Sequence, residues 1–96
     1  MKKEILMELY TRPTCSDCQE AKKFLASNHI NYVDKDVSRN EELEQDMRKI
    51  AGNRIVPLFV FYQTGLFGRK KLLKHFTGYE NNREEIHEWL FKKSLF

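Results

Sequence analysis

The sequence predicts an α/β fold: one mixed four-stranded sheet and three helices, in the order βαβαββα. Three observations lead there. Apolar runs at residues 5–10 and 55–62 read as strands enclosed on both faces. Segments with apolar residues at helical spacing follow the first strand, the second strand and the last one. The connections then constrain the pairing. A β-α-β crossover needs parallel strands, whereas the hairpin over residues 55–77 must be antiparallel, and one mixed sheet with helices on both faces satisfies both.

Composition agrees with a single domain over residues 1–96. Of its side chains 41% are hydrophobic and 12% aromatic, enough for a real core. The formal charge of +3, from 17 basic and 14 acidic residues, is a modest excess that does not point to nucleic acid. Lys2 and Lys3 precede an apolar run that is short and broken by Glu8, which makes neither a signal peptide nor a membrane span. The expected location is the cytoplasm, and the expected state a monomer.

The first strand, residues 5–10, enters a turn at Thr11-Arg12-Pro13-Thr14, where Pro13 is tolerated just ahead of a helix. The first helix is expected from about Cys15 to Ser27, with Cys18, Ala21, Leu25 and Phe24 inward and Lys22 and Lys23 in water. Residues 30–37 read as the second strand. Ser38, with Glu41 three positions on, resembles a capping box opening the second helix. Leu43, Met47 and Ile50 form that helix's buried stripe, and Gly52 stops it. Pro57 cannot donate to a ladder, so it belongs near the start of the third strand. Residues 63–68 make a hairpin loop that leaves Phe67 exposed at its tip. The return strand, residues 69–77, is expected to turn Leu72 and Phe76 inward and to expose Lys70, Lys71 and Lys74 as a solvated edge. After Gly78, Asn81 or Asn82 caps the last helix with Glu84 or Glu85 as box partner, and Ile86, Trp89 and Leu90 form its core face.

The chemistry concentrates at Pro13-Thr14-Cys15-Ser16-Asp17-Cys18, which holds the only two cysteines in the chain. Two cysteines so close staple almost nothing, so a disulfide framework is excluded. Between a strand and a helix, the first thiol stands at a helix N-terminus, where backbone N–H groups and the helix dipole favour a thiolate. A thiolate attacks disulfides, and the second thiol then resolves the mixed disulfide. A zinc half-site is the competing reading, but zinc wants four ligands, and His29, His75 and His87 are scattered. Asp17 is unusual between the cysteines, because its carboxylate opposes the helix effect on a neighbouring thiolate, with Arg12 the candidate to offset it. Arg54 reads as a surface residue.

Over nearly its whole length the chain resembles the thioredoxin-fold family, and glutaredoxin-like proteins most closely. Leu9-Tyr10-Thr11 resembles the strand end before the redox motif, and Cys15-x-x-Cys18 with Ala21-Lys22-Lys23-Phe24-Leu25 resembles the motif and first helix. Asp36-Val37 resembles the end of the second strand, Val56-Pro57 the cis-proline segment, and Gly78 the glycine after the last strand. The resemblance implies a thioredoxin-like fold, a cis Val56–Pro57 bond beside Cys15, and a substrate chain lying along that backbone. It implies Cys15 and Cys18 as catalytic, and Arg12, Thr14, Val56, Pro57, Gly78 and Tyr79 as substrate-binding. The activity implied is thiol–disulfide exchange on protein or glutathione mixed disulfides. No bound cofactor or metal is expected, and electrons would come from glutathione or an NADPH-dependent flavin reductase such as thioredoxin reductase. Two further readings stay open: a dedicated electron donor to one partner enzyme, such as ribonucleotide reductase, and a non-enzymatic zinc or redox-sensing module. The chain departs from its relatives at Ser16-Asp17, where glutaredoxins commonly carry Pro-Tyr, and at Tyr79, where they carry a second glycine.

Overall fold

The computed structural model describes residues 4–65 and 68–93. Four strands form one sheet: β1 (Glu4–Thr11), β2 (Val33–Asp36), β3 (Leu58–Thr64) and β4 (Lys70–Thr77), in the spatial order β2-β1-β3-β4. β1 pairs in parallel with β2 and antiparallel with β3, and β3 pairs antiparallel with β4. The α-helices are α1 (Ser16–Ser27), α2 (Glu41–Ala51) and α3 (Arg83–Glu88), the last running on into a wider π turn over Trp89–Lys93. Mixed pairing and element order are those expected.

Alternation along the central strands splits the core into two layers. Met7 and Leu9 of β1 and Phe59 and Phe61 of β3 point to one face, where Ala21 and Leu25 of α1 and Ile86 of α3 cover them. Tyr10, Leu58 and Val60 point to the other, against Met47 of α2 and Val37. Both faces of β1 and β3 are therefore buried, which is why their apolar runs lack a clean period of two. Glu8 is the exception inside the run. It is only 3% exposed, and its carboxylate meets Lys35 at 3.2 Å and Lys70 at 2.9 Å.

Several boundaries differ from expectation. β2 begins at Val33 rather than at residue 30; Ile30 and Tyr32 pack against the core from the connection before it. The cap of α2 is Asn40, whose side chain accepts the Glu42 N–H, while Ser38 bonds Asp36 in a turn one step earlier. Of the α2 stripe, Met47 is fully buried and Leu43 and Ile50 pack at its rim. Gly52 closes α2 in the left-handed region, φ 77°, donating its N–H to the Arg48 carbonyl. β3 starts at Leu58, after Pro57, which leaves Ile55 56% exposed.

Leu72 is 46% exposed rather than inward, because a register shift opposite Phe61 and Tyr62 interrupts the alternation of β4; Phe76 stays buried. Asn82 precedes α3 but does not cap it. Its amide donates to the Thr77 and Gly78 carbonyls, and a 3₁₀ turn over Glu80–Asn82 leads into the helix instead. Ile86 and Leu90 are buried as expected, and Trp89 packs at the edge of the same layer. Phe67 lies outside the described residues.

Candidate functional site

The end of β1 delivers the chain into α1 through the turn at Arg12, whose carbonyl accepts the Cys15 N–H at 3.2 Å. Cys15 is the N-cap of α1. Its backbone is extended, and its Sγ accepts the Cys18 N–H at 3.1 Å. A cap atom in that position satisfies one of the helix's unpaired donors. Here the cap atom is a sulfur in place of the usual side-chain oxygen. One turn in, Cys18 sits on the inner face with 1% exposure, while Cys15 is half-buried. Burial, with the contact to Cys15 second, pushes the Cys18 thiol up to about 12. The two sulfurs are thus unequal: Cys15 is reachable, and Cys18 keeps its proton behind it.

A second segment faces this helix start. The Val56–Pro57 peptide is cis, as the resemblance implied. The Cys15 thiol donates to the Val56 carbonyl at 3.7 Å, and Pro57 is fully buried below. The Pro57 carbonyl in turn accepts the Gly78 N–H at 2.8 Å. Gly78 adopts φ 91°, a conformation favouring glycine, and so reverses the chain after β4. The next two N–H groups, of Tyr79 and Glu80, donate to the Asp17 carboxylate at 2.8 and 3.2 Å. A ring of hydrogen bonds therefore closes around the dithiol, from Cys15 through Val56-Pro57, Gly78-Tyr79 and Asp17 back to Cys18.

The structure brings Cys15, Cys18, Val56, Pro57 and Gly78 together. Thr14 is exposed beside them. Tyr79 joins only through its backbone: its ring is buried, stacks with Phe59 at 5.9 Å, and carries its hydroxyl to His87 at 3.1 Å. Arg12 does not turn toward Asp17. Its guanidinium pairs with Glu44 of α2, which also holds Arg54 at 2.8 Å. The two arginines hold the Glu44 carboxyl below its ordinary value, Arg12 contributing most. Arg54 remains largely exposed, at 61%.

Sequence reasoning missed two of these links. Asp17 reads locally as a solvated acid at a helix start, and its partners lie 62 and 63 positions away. Glu44 carries no signal at all, because only the docking of α2 brings it to Arg12. Among the described residues no three His, Cys, Asp or Glu side chains gather as a metal site. No helix among them is long and apolar enough to cross a membrane.

Comparison with known proteins places this geometry. The glutaredoxin family profile matches residues 7–62. An uncharacterised glutaredoxin-like 8.6 kDa protein from the rubredoxin operon of Clostridium pasteurianum is 30% identical over 53 residues, 55% of this chain and 71% of that protein. The solution structure of a glutaredoxin from Brucella melitensis superposes with a TM-score of 0.57 at 22% identity, over 97% of this chain and 96% of that one. The thioredoxin of Plasmodium falciparum superposes with a TM-score of 0.62 at 17% identity, over 92% of this chain and 71% of that one. The fold is thioredoxin-like.

Proposed function

Because the chain belongs to the glutaredoxin family, we propose that it is a thiol–disulfide oxidoreductase, acting on protein or glutathione mixed disulfides through Cys15 and Cys18. The observation that supports this most is the inequality of the two thiols. Cys15 is accessible and receives an N–H, and Cys18 is buried 1% exposed with its thiol pushed up to about 12.

The reaction runs in two displacements. The Cys15 thiolate attacks one sulfur of the substrate disulfide. That S–S bond breaks, a Cys15–substrate bond forms, and the first substrate thiolate leaves and takes up a proton. Cys18 then loses its proton and attacks Cys15 Sγ, which releases the second substrate thiol. Two electrons pass to the substrate, and Cys15–Cys18 is left as a disulfide. Glutathione, or a flavin reductase drawing on NADPH, returns two electrons to the pair. Throughout, the Val56 carbonyl and Pro57 form the wall against which the mixed disulfide lies, with Thr14 at its open side. The cytoplasm, where such a pair would be kept reduced, is the expected compartment.

The test is an equilibration in graded glutathione redox buffers, with and without chelator, followed by alkylation and mass counting of free thiols. The expected result is one reversible two-electron step that Cys15→Ser and Cys18→Ser each abolish. Catalytic turnover should vanish in Cys15→Ser, whereas Cys18→Ser should accumulate a mixed disulfide. Thiols that resist alkylation until chelator is added would overturn the reading in favour of a metal module.

A further inference from the structure

The acid between the two cysteines is more than a charge at a helix start. Asp17 is half-buried, and its Oδ2 accepts the Tyr79 N–H at 2.8 Å. The Glu80 N–H reaches both carboxylate oxygens, at 3.2 and 3.4 Å. Gly78, at φ 91°, turns the chain so that these two N–H groups meet Asp17. These hydrogen bonds hold the carboxylate, which belongs to the residue between the two cysteines, against the Tyr79-Glu80 backbone. The donors that hold it are not offered to any other carboxylate.

Among the described residues no cation pairs with it. Arg12 and Arg54 share Glu44 instead. Arg83 leans on Glu80 at 3.7 Å. Glu80 is thus answered by Arg83, and Asp17 is the carboxylate met by backbone N–H groups alone among the described residues.

Granting the oxidoreductase reading, on which this rests, we propose that Asp17 is a specificity-determining residue. It sets the site against disulfides that carry a carboxylate next to the sulfur, and in favour of neutral and cationic ones. The substrate class that follows is a protein disulfide with neutral or basic neighbours, rather than a small acidic disulfide.

A charge series of small disulfides tests this. Pre-reduced protein is mixed in single turnover with cystamine, hydroxyethyl disulfide or dithiodipropionate, which carry positive, no and negative charge beside similar sulfurs. In each case two thiols are released and Cys15–Cys18 is oxidised, so atoms and electrons balance without another reductant. The quantity read is the ratio of the cystamine rate to the dithiodipropionate rate. Any general change in thiol reactivity cancels in that ratio, so a merely structural role would not move it.

In Asp17→Asn the ratio should fall roughly three- to tenfold, as expected for loss of one nearby charge in a half-exposed site. Asp17→Glu should keep most of it, and Asp17→Ser, a shorter neutral variant, carries the same expectation as Asp17→Asn should that one fail to fold. A ratio that stays within twofold of wild type in the neutral variants overturns the inference while leaving the oxidoreductase reading intact. Failure of the wild type to oxidise with any of the three removes both.

Discussion

A thiol whose charged form is disfavoured by burial reacts later than one that is capped by an N–H, and Cys18 and Cys15 differ in this way. The cause is position along one helix turn: residue 15 caps α1 and residue 18 faces the core. Burial is the first cause of the raised Cys18 value, so it should persist when Cys15 is replaced. In Cys15→Ser, alkylation of Cys18 should be slow at neutral pH. It should still be climbing past pH 9.0, the ordinary thiol value. A plateau below that pH would refute the assignment of Cys18 as the reserved thiol. Both cysteines were legible from their spacing and context, because four consecutive positions between a strand and a helix put the first thiol at the helix start and the second on its inner face; that Cys15 itself caps the helix came from the structure. The role of Tyr79 was not, since nothing in its neighbours tells backbone from ring.

At the scale of elements, caps and packing carry the predictions. α2 begins at Asn40, so Asn40→Ala should lower stability by about 1 kcal/mol in urea melts, and Ser38→Ala by less. Equal losses would return the cap to Ser38. At the other end of α2 a Cβ on Gly52 meets nothing within 4 Å, so Gly52→Ala costs only its backbone conformation, about 1 kcal/mol. α3 is held to α1 by His87, whose ring stacks on Phe24 at 4.1 Å and meets the Tyr79 hydroxyl. Burial, then the Arg83 charge, lowers the His87 value below its ordinary 6.5. The neutral ring is the form the fold accepts. Its contribution is present above 6.5 and is lost as pH falls through the lower, folded value. Urea midpoints should therefore drop between pH 7 and pH 5, and His87→Gln should flatten that drop; an undiminished drop in the variant would exclude His87 as its source.

For the whole molecule, β1 is the strand on which everything else registers. It pairs on both edges, packs on both faces, and ends at the dithiol. Its buried Glu8 reaches one lysine on each outer strand, Lys35 of β2 and Lys70 of β4. Glu8→Gln should cost about 1–3 kcal/mol in global stability, as for other charged groups that lose a buried partner. It should leave disulfide exchange intact, since Glu8 faces away from the cysteines. A variant as stable as wild type would mean that the lysines relax into water without loss.

What the sequence determined by itself was local or periodic. It contained the order of elements, the apolar character of β1 and β3, the placement of Cys15 at the start of α1, and the mixed pairing that the connections impose. Tertiary structure alone decided where Asp17, Glu44 and Glu8 point, because each finds its partners tens of positions away. It also decided that Leu72 faces water, because the register shift in β4 depends on its pairing with β3. The physical reason is the same in every case. Backbone preference and hydrophobic periodicity act over one or two turns of chain, whereas the partner of a charged side chain is fixed only when distant segments dock.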